Sequence, residues 1–288
     1  MNVNWPARLV LVLGIGVAVV AGACASVPLR MPSGPWMPDE AAPGAFAEAT
    51  AACRGVRTFS AEIAVTGRAG QSKLRGRVLA GFERAGRLRL EGVAPFGAPL
   101  FILVARNNRA TLYLPRQHQV LSETPVDDVL EVLTGVRRDA DALAALVSGC
   151  VVPSPEAGAG QRNGSAWIST TLSSGPNVFL RQDAGHWRIL RGTRESDGGM
   201  AAEWAVEYGE FSSAFPSLIR LRERRVGPSG VAAVSDLTLR VSQLEVNVAL
   251  DAAAFEPKVP SDARPISLDE LRQQGPLADA AREERRMP

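Results

Sequence analysis

Two segments in the first third of the chain place an apolar or small residue at every second position. They run from Phe59 to Val65 and from Leu74 to Phe82, and this period of two is typical of half-buried antiparallel strands. The loop after the second segment ends at Gly86, a residue suited to the left-handed conformation that a three-residue hairpin loop needs. The next strand then places Leu88 and Leu90 on the apolar face. If the third strand were shifted by one residue against the second, arginine side chains would point into the core. The pattern therefore predicts the register of these three strands.

Strand patterns continue through most of the chain. They occur at residues 100–105, 110–114, 119–122, 167–172, 178–181, 187–191, 202–208, 218–224, 234–241 and 244–248. Allowing for mergers, about eleven strands are too many for one open, twisted layer unless the sheet curls. We therefore predict a mainly β fold with inserted α-helices, built as a strongly curved, antiparallel half-barrel of about eleven strands.

Two short helical patterns interrupt the strands. The first begins with Thr124 as N-cap and Pro125 at the first helical position, and it ends at Gly135. The second covers residues 139–148. Together they present an apolar face formed by Val126, Val129, Leu130, Leu133, Leu143 and Leu146. This pattern fits a helix pair packed permanently on the sheet as well as a pair that moves as a lid.

The first 24 residues have the form of a secretory signal. Arg8 precedes an apolar run at residues 9–20, and small residues follow up to Cys24. As a helix the run would span about 18 Å, which is less than the roughly 30 Å hydrocarbon core of a bilayer. The small residues that end on Cys24 resemble the bacterial lipobox, and this resemblance implies a lipoprotein signal peptide at residues 1–23 and acylation of Cys24. Residues 24–43 are predicted to form a proline-rich tether. The alternative is an uncleaved anchor, or an ordinary signal peptide with a chance cysteine.

Composition argues against several classes of function. The 288 residues include 32 Lys and Arg and 30 Asp and Glu, for a net charge of +2, and this balance gives no sign of the basic patch that nucleic acids require. Three cysteines and two histidines, without metal-ligand spacing, argue against a metal site or a haem attachment. The G-x-S-x-G nucleophile motif does not occur in the sequence. We expect neither a cofactor nor an enzymatic activity.

Residues 87–149 resemble the outer-membrane lipoprotein receptor LolB, which is similar in fold to the periplasmic carrier LolA. The resemblance is carried by the strand Leu88–Leu90, the turn Ala94–Gly97, the strand Leu100–Ala105 and the helical stretch Val126–Gly135. It implies a half-barrel domain at residues 44–260 with lid helices at about residues 125–148, and it leaves residues 261–288 as a C-terminal tail.

The resemblance also implies a function. In this family a hydrophobic cavity beneath the lid accepts acyl chains, and the receptor passes lipoproteins into the outer membrane. The expected partners are lipoprotein acyl chains or phospholipid, the outer membrane and a LolA-like periplasmic carrier. Ala25 after the cysteine resembles the pattern of outer-membrane delivery, so we expect a lipid-anchored protein facing the periplasm. The competing hypothesis is an envelope-assembly or stress-sensing lipoprotein that uses the same fold to bind a protein partner.

Phe96 matches the protruding apolar residue that LolB carries in the corresponding turn. The resemblance therefore implies that its ring inserts into the membrane, which would contribute roughly 1.5–3 kcal/mol. The alternative is that the ring covers the end of the sheet as ordinary core.

Two further sets of residues have open interpretations. Cys53 lies on a short helix before the first strand and Cys150 follows the second predicted lid helix, and an exported chain lies where disulfides persist, so these two are disulfide candidates. Lys73, Arg75 and Arg77 follow one strand, and Arg87 and Arg89 follow the next. They could meet anionic headgroups or form a cross-strand charge ladder with nearby glutamates.

Overall fold

The computed structural model describes residues 29–94, 97–195, 203–226 and 232–274. The chain divides into the units Met1–Arg30 and Met31–Pro288, and every helix and strand given below belongs to the second. The predicted signal peptide, Cys24 and Phe96 lie outside the described residues. Within the described ranges, no helix is long and apolar enough to cross a membrane.

One large sheet dominates the fold and curves without closing into a barrel. Among the described residues it contains 15 strands, which are antiparallel apart from the pairing of β7 with β15. The strands are β1 Met37–Pro38, β2 Thr58–Ala69, β3 Ser72–Glu83, β4 Arg87–Val93, β5 Ile102–Arg106, β6 Arg109–Leu114, β7 Gln119–Pro125, β8 Ala157–Asn163, β9 Trp167–Leu172, β10 Asn177–Asp183, β11 His186–Arg194, β12 Glu203–Ser212, β13 Phe215–Val226, β14 Ala232–Val246 and β15 Arg264–Pro265. Their spatial order is β1-β8-β9-β10-β11-β12-β13-β14-β2-β3-β4-β5-β6-β7-β15. The predicted mainly β, curved antiparallel half-barrel is confirmed.

The register of β2, β3 and β4 is the predicted one. Ala80 pairs with Leu90 and Phe82 with Leu88, and the loop between β3 and β4 ends at Gly86 with φ +75°. These apolar residues belong to the main hydrophobic core, which lies on the face of the sheet that the helices cover.

Four α-helices of the described ranges pack on the sheet or on one another. They are α1 Ala42–Arg54, α2 Val126–Thr134, α3 Ala140–Ser148 and α4 Leu268–Gln274. Helix α1 covers β8 to β11, α2 contacts β6, β7 and α4, and α3 lies over β13. Gly135 ends α2 in the left-handed conformation, as predicted, and Gly149 ends α3 in the same conformation. Helix α2 starts one residue later than predicted, because Pro125 still pairs with Arg109 in the sheet and Thr124 does not cap the helix.

Four regions differ from the strand pattern predicted from the sequence. Strand β8 lies in the Pro/Gly-rich stretch where no strand was predicted. Strand β14 is continuous over the two strands predicted at its position, with a bulge between Ser242 and Glu245. Short elements also occur within the segments predicted as tether and tail, where β1 pairs with β8 and β15 pairs with β7.

Candidate functional site

An apolar cavity of about 130 Å³ lies between helices α2 and α3 and the inner face of the sheet. Strands β2, β3, β4, β13 and β14 form its floor, and the two helices form its roof. Most of the lining is aliphatic: Ile63, Val65, Leu74, Val78, Leu90, Leu221, Leu237 and Leu239 from the strands, and Leu130, Leu133, Leu143, Leu146 and Val147 from the helices. Such a surface binds apolar groups by burial, without directional contacts.

Four of the six residues predicted for the lid face line this cavity. Leu130 and Leu133 contribute from α2, and Leu143 and Leu146 contribute from α3. Val126 and Val129 are fully buried in the hydrophobic core but are not part of the lining, because the first turns of α2 pack on β6 and β7. The periodicity of the two helices therefore identifies the buried face, and only its later part faces the cavity.

The cavity reaches the surface beside β3. On the N-terminal side of Arg77, β3 pairs with β2 but not with β4 in the described part of the chain. The edge of Ser72–Gly76 that faces away from β2 is therefore free. Gly76 lines the cavity and is itself exposed, and a Cβ added there would have no atom within 4 Å. Arg75 and Arg77 also belong to the lining. We refer to this opening as the mouth.

A group of buried charges connects the roof to the sheet. Glu223 of β13 is 2% exposed, and its carboxylate lies 3.0 Å from Arg138 Nη1 and 2.7 Å from Arg225 Nη2. Arg225 also reaches Glu131 of α2 at 2.7 Å. The guanidinium of Arg138, which lies in the α2–α3 connection, stacks over the ring of Trp204 at 5.5 Å. We call Glu131, Arg138, Glu223 and Arg225 the latch.

The electrostatics of the latch follow from its burial. Loss of hydration lowers the pKa of the Arg138 guanidinium, and the carboxylate of Glu223 opposes that shift. A buried pair of this kind is held together strongly once formed, because removing one partner leaves an uncompensated charge in a dry environment. The latch was not predicted from the sequence. Glu223 and Arg225 do occupy the same strand face as Leu221, and charges at such core-facing positions are the signal that could have identified it.

The end of α2 is also fixed by a close backbone approach. Gly135 adopts φ +72°, and a Cβ at this position would collide with Ser235 and Ala69. The Ser235 hydroxyl donates a hydrogen bond to the carbonyl oxygen of Gly135 at 2.9 Å. The α2–α3 connection is therefore seated directly on β14 and on the tip of the β2–β3 hairpin.

Cys53 and Cys150 form a disulfide, with Cα atoms 5.6 Å apart. Cys53 is in the last turn of α1, and Cys150 follows Gly149 at the end of α3. The bond thus attaches the far end of the roof covalently to α1. In the described ranges, no group of three or more His, Cys, Asp or Glu side chains could hold a metal ion.

The fold of this chain is a curved, open antiparallel sheet with two helices over its inner face. An apolar cavity lies between the helices and the sheet. No family model matches the chain, and no curated protein matches it in sequence. Among solved structures, the chain is similar to a LolA superfamily protein from Nitrosomonas europaea, with 13% identity and a TM-score of 0.46 over 75% of this chain and 97% of that one.

Two further solved structures are similar over most of their length. A DUF1329 family protein from Desulfovibrio piger shares 12% identity at a TM-score of 0.45, covering 76% of this chain and 98% of that one. The Mycobacterium tuberculosis lipoprotein LppX shares 12% identity at a TM-score of 0.30, covering 74% and 100%. The matches thus include the LolA superfamily, the group that residues 87–149 resemble.

Proposed function

We propose that the protein binds the acyl chains of lipids or lipoproteins in the cavity beneath α2 and α3. The observation that carries this proposal is the cavity's aliphatic lining, formed jointly by the roof and the floor. Each methylene moved from water into such a site contributes up to about 0.8 kcal/mol. Because most of the lining is aliphatic, binding depends on chain length more than on chain identity.

The size of the cavity implies that the roof moves during binding. An engineered apolar cavity of about 150 Å³ holds benzene, and the cavity here is of similar size at about 130 Å³. The acyl chain of a lipoprotein is much larger than benzene. We therefore infer that this is the closed state and that α2 and α3 separate from the sheet when a full chain enters.

A neutral apolar dye tests acyl binding directly. We expect N-phenyl-1-naphthylamine to become fluorescent on the protein and lysophosphatidylcholine to displace it. The variant Gly76→Leu fills the mouth and should weaken both ligands at least tenfold, since about 3 kcal/mol of apolar contact becomes inaccessible. Gly81→Leu is the matched control, because Gly81 lies on the opposite face of the same strand with open space around it. Absence of dye binding by the unmodified protein would refute the proposal.

The more specific part of the proposal is that the protein transfers lipoproteins into the outer membrane. Acylation of Cys24 would keep the protein at that membrane, a LolA-like carrier would supply lipoproteins, and Phe96 would enter the bilayer. We expect Phe96→Glu to retain the fold and acyl binding but to lose lipoprotein transfer into outer-membrane vesicles, whereas Phe96→Leu retains transfer. Equal transfer by both variants would contradict this role. A preparation free of lipid that holds a stoichiometric protein partner would favour the envelope-assembly or stress-sensing hypothesis.

A further inference from the structure

The outer face of the β2–β3 hairpin carries three cations without an ion-pair partner among the described residues. They are Arg68, Lys73 and Arg75, and all three are exposed. Arg68 stands directly opposite Lys73 in the pairing of β2 with β3, and Arg75 is two residues along from Lys73 on the same face. Their Cβ atoms are therefore about 5–7 Å from their neighbours. We call this set the cationic cluster.

The acids around the cluster are already paired with other arginines. Asp236 is the neighbour of Arg68 on β14, but its carboxylate lies 2.9 Å from Arg222 Nη2. Glu62 lies 3.2 Å from Arg77 Nη1. Like charges directly opposite one another in a sheet are unfavourable, so the arrangement of Arg68 and Lys73 is one that a bound anion would relieve.

The rest of the same surface behaves differently. Arg87 pairs with Glu83 at 3.0 Å and Arg89 with Glu91 at 2.9 Å. The structure therefore divides the cations of these strands into two groups, those in ion pairs and those without one within the described ranges, which the sequence alone did not do. Arg77, Arg87 and Arg89 belong to a charge ladder, whereas Lys73 and Arg75 do not.

The cluster lies beside the mouth of the cavity. Arg75 is adjacent to Gly76, and both line the cavity where β3 has its free edge. A molecule with an apolar chain in the cavity would therefore present its polar end to Arg75 first. Lys73 is two residues along the same strand face, and Arg68 stands opposite Lys73 on β2. One ligand can satisfy both features only if it joins an acyl chain to an anionic group.

We propose that the cationic cluster binds the phosphate of an anionic lipid whose acyl chain occupies the cavity. This inference rests on the proposed function and narrows its substrate class to phospholipid with net negative charge. Guanidinium and ammonium groups are the usual partners of phosphate, and charge-assisted contacts of this kind are short and strong. A zwitterionic headgroup has the same phosphate, but its own cation competes for it.

Competition between two monomeric lipids tests the proposal. The full chain carrying Cys24→Ser, which removes the predicted acylation site, is loaded with N-phenyl-1-naphthylamine. Lysophosphatidylglycerol and lysophosphatidylcholine with the same acyl chain then displace the dye below their micelle concentrations. Since each basic residue near an anionic headgroup strengthens binding several-fold, we expect at least a tenfold preference for lysophosphatidylglycerol, falling as salt screens the cluster.

Two triple variants provide the comparison. Replacing the cluster with glutamines, as Arg68→Gln, Lys73→Gln and Arg75→Gln, should reduce the preference to less than twofold and leave lysophosphatidylcholine binding unchanged. The control makes the same charge change on the same face at residues already in ion pairs, as Arg87→Gln, Arg224→Gln and Arg240→Gln, and should keep the preference.

The outcomes separate the two proposals. Equal affinity of the unmodified chain for both lipids overturns the headgroup site and leaves acyl binding intact. Failure of both lipids to displace the dye overturns the proposed function itself. If the cluster variant loses only its attachment to anionic vesicles while still preferring monomeric lysophosphatidylglycerol, the cluster is a membrane-docking surface and the headgroup site is refuted.

Discussion

Breaking the bond between Cys53 and Cys150 should lower the stability of the protein by a large and calculable amount. The two residues are 97 positions apart. In the chain-entropy model, closing a loop of about a hundred residues stabilises the folded state by about 4.7 kcal/mol. For a unit of this size, each 1 kcal/mol corresponds to about 2–4 °C in Tm, so the expected loss is about 9–19 °C.

Thermal unfolding followed by circular dichroism measures this loss. The Cys24→Ser background is used so that the disulfide pair contains the only remaining cysteines. The oxidised protein is compared with the same protein in reducing agent and with the double variant Cys53→Ala, Cys150→Ala. Reduction and the double variant should give the same Tm within about 3 °C, because both remove the same constraint on the unfolded chain. If reduction changes Tm by less than about 3 °C, the entropic reasoning is refuted.

Three further predictions concern the roof and its neighbours. Glu223→Gln leaves Arg138 without its counter-charge and should cost about 3–5 kcal/mol in urea unfolding while speeding dye association in stopped flow; slower association would contradict the latch. Leu133→Ala should cost about 2–5 kcal/mol and enlarge the cavity enough to admit bulkier dyes, and unchanged dye selectivity would argue against its position in the lining. The backbone and hydroxyl of Ser267 lower the pKa of Glu270 below its ordinary 4.5, so this interaction supports α4 above that pH and is lost as pH falls through the lowered value. An NMR titration should show a smaller shift in Ser267→Ala, because that variant loses the hydroxyl but keeps the backbone donor, and an unshifted Glu270 in the unmodified protein would exclude the interaction.

The register of the hairpins was predictable because one alternative is physically forbidden. Shifting β4 by one residue against β3 would replace Leu88 and Leu90 with arginines in the core. The observed pairing of Phe82 with Leu88 satisfies this constraint. Where one face of a strand is fully apolar, the sequence contains enough information to fix the register of that strand against its neighbours.

Strand β8 could not be predicted for the opposite reason. Gly158 and Gly160 give it no side-chain alternation, and isolated glycines weaken strand propensity. The structure explains their presence, because a Cβ at Gly160 would collide with the Cβ of Ala42 at the start of α1. The constraint comes from a helix more than a hundred residues earlier in the chain, and local patterns do not contain such information.

The candidate site also combines features that the sequence predicts with features that it does not. The apolar face of α2 and α3 follows from a period of 3.6, so Leu130, Leu133 and Leu143 could be placed in advance. The pairing of Glu223 with Arg138 depends on how the connection between the helices lies over β13. A charged residue at a core-facing strand position predicts that an oppositely charged partner lies nearby. Only the fold shows which residue that partner is.

The two attachments of the roof determine how it can open. At one end the disulfide fixes Cys150 to α1 covalently, and at the other the α2–α3 connection is held by non-covalent contacts, chiefly the Arg138–Glu223 ion pair and the hydrogen bond from Ser235 to Gly135. Covalent attachment persists during a conformational change, whereas an ion pair can break and reform once water enters. The roof should therefore pivot about the Cys150 end and lift at the α2–α3 connection. That connection lines the cavity together with Gly76 and Arg75, so the motion widens the mouth where the cationic cluster lies.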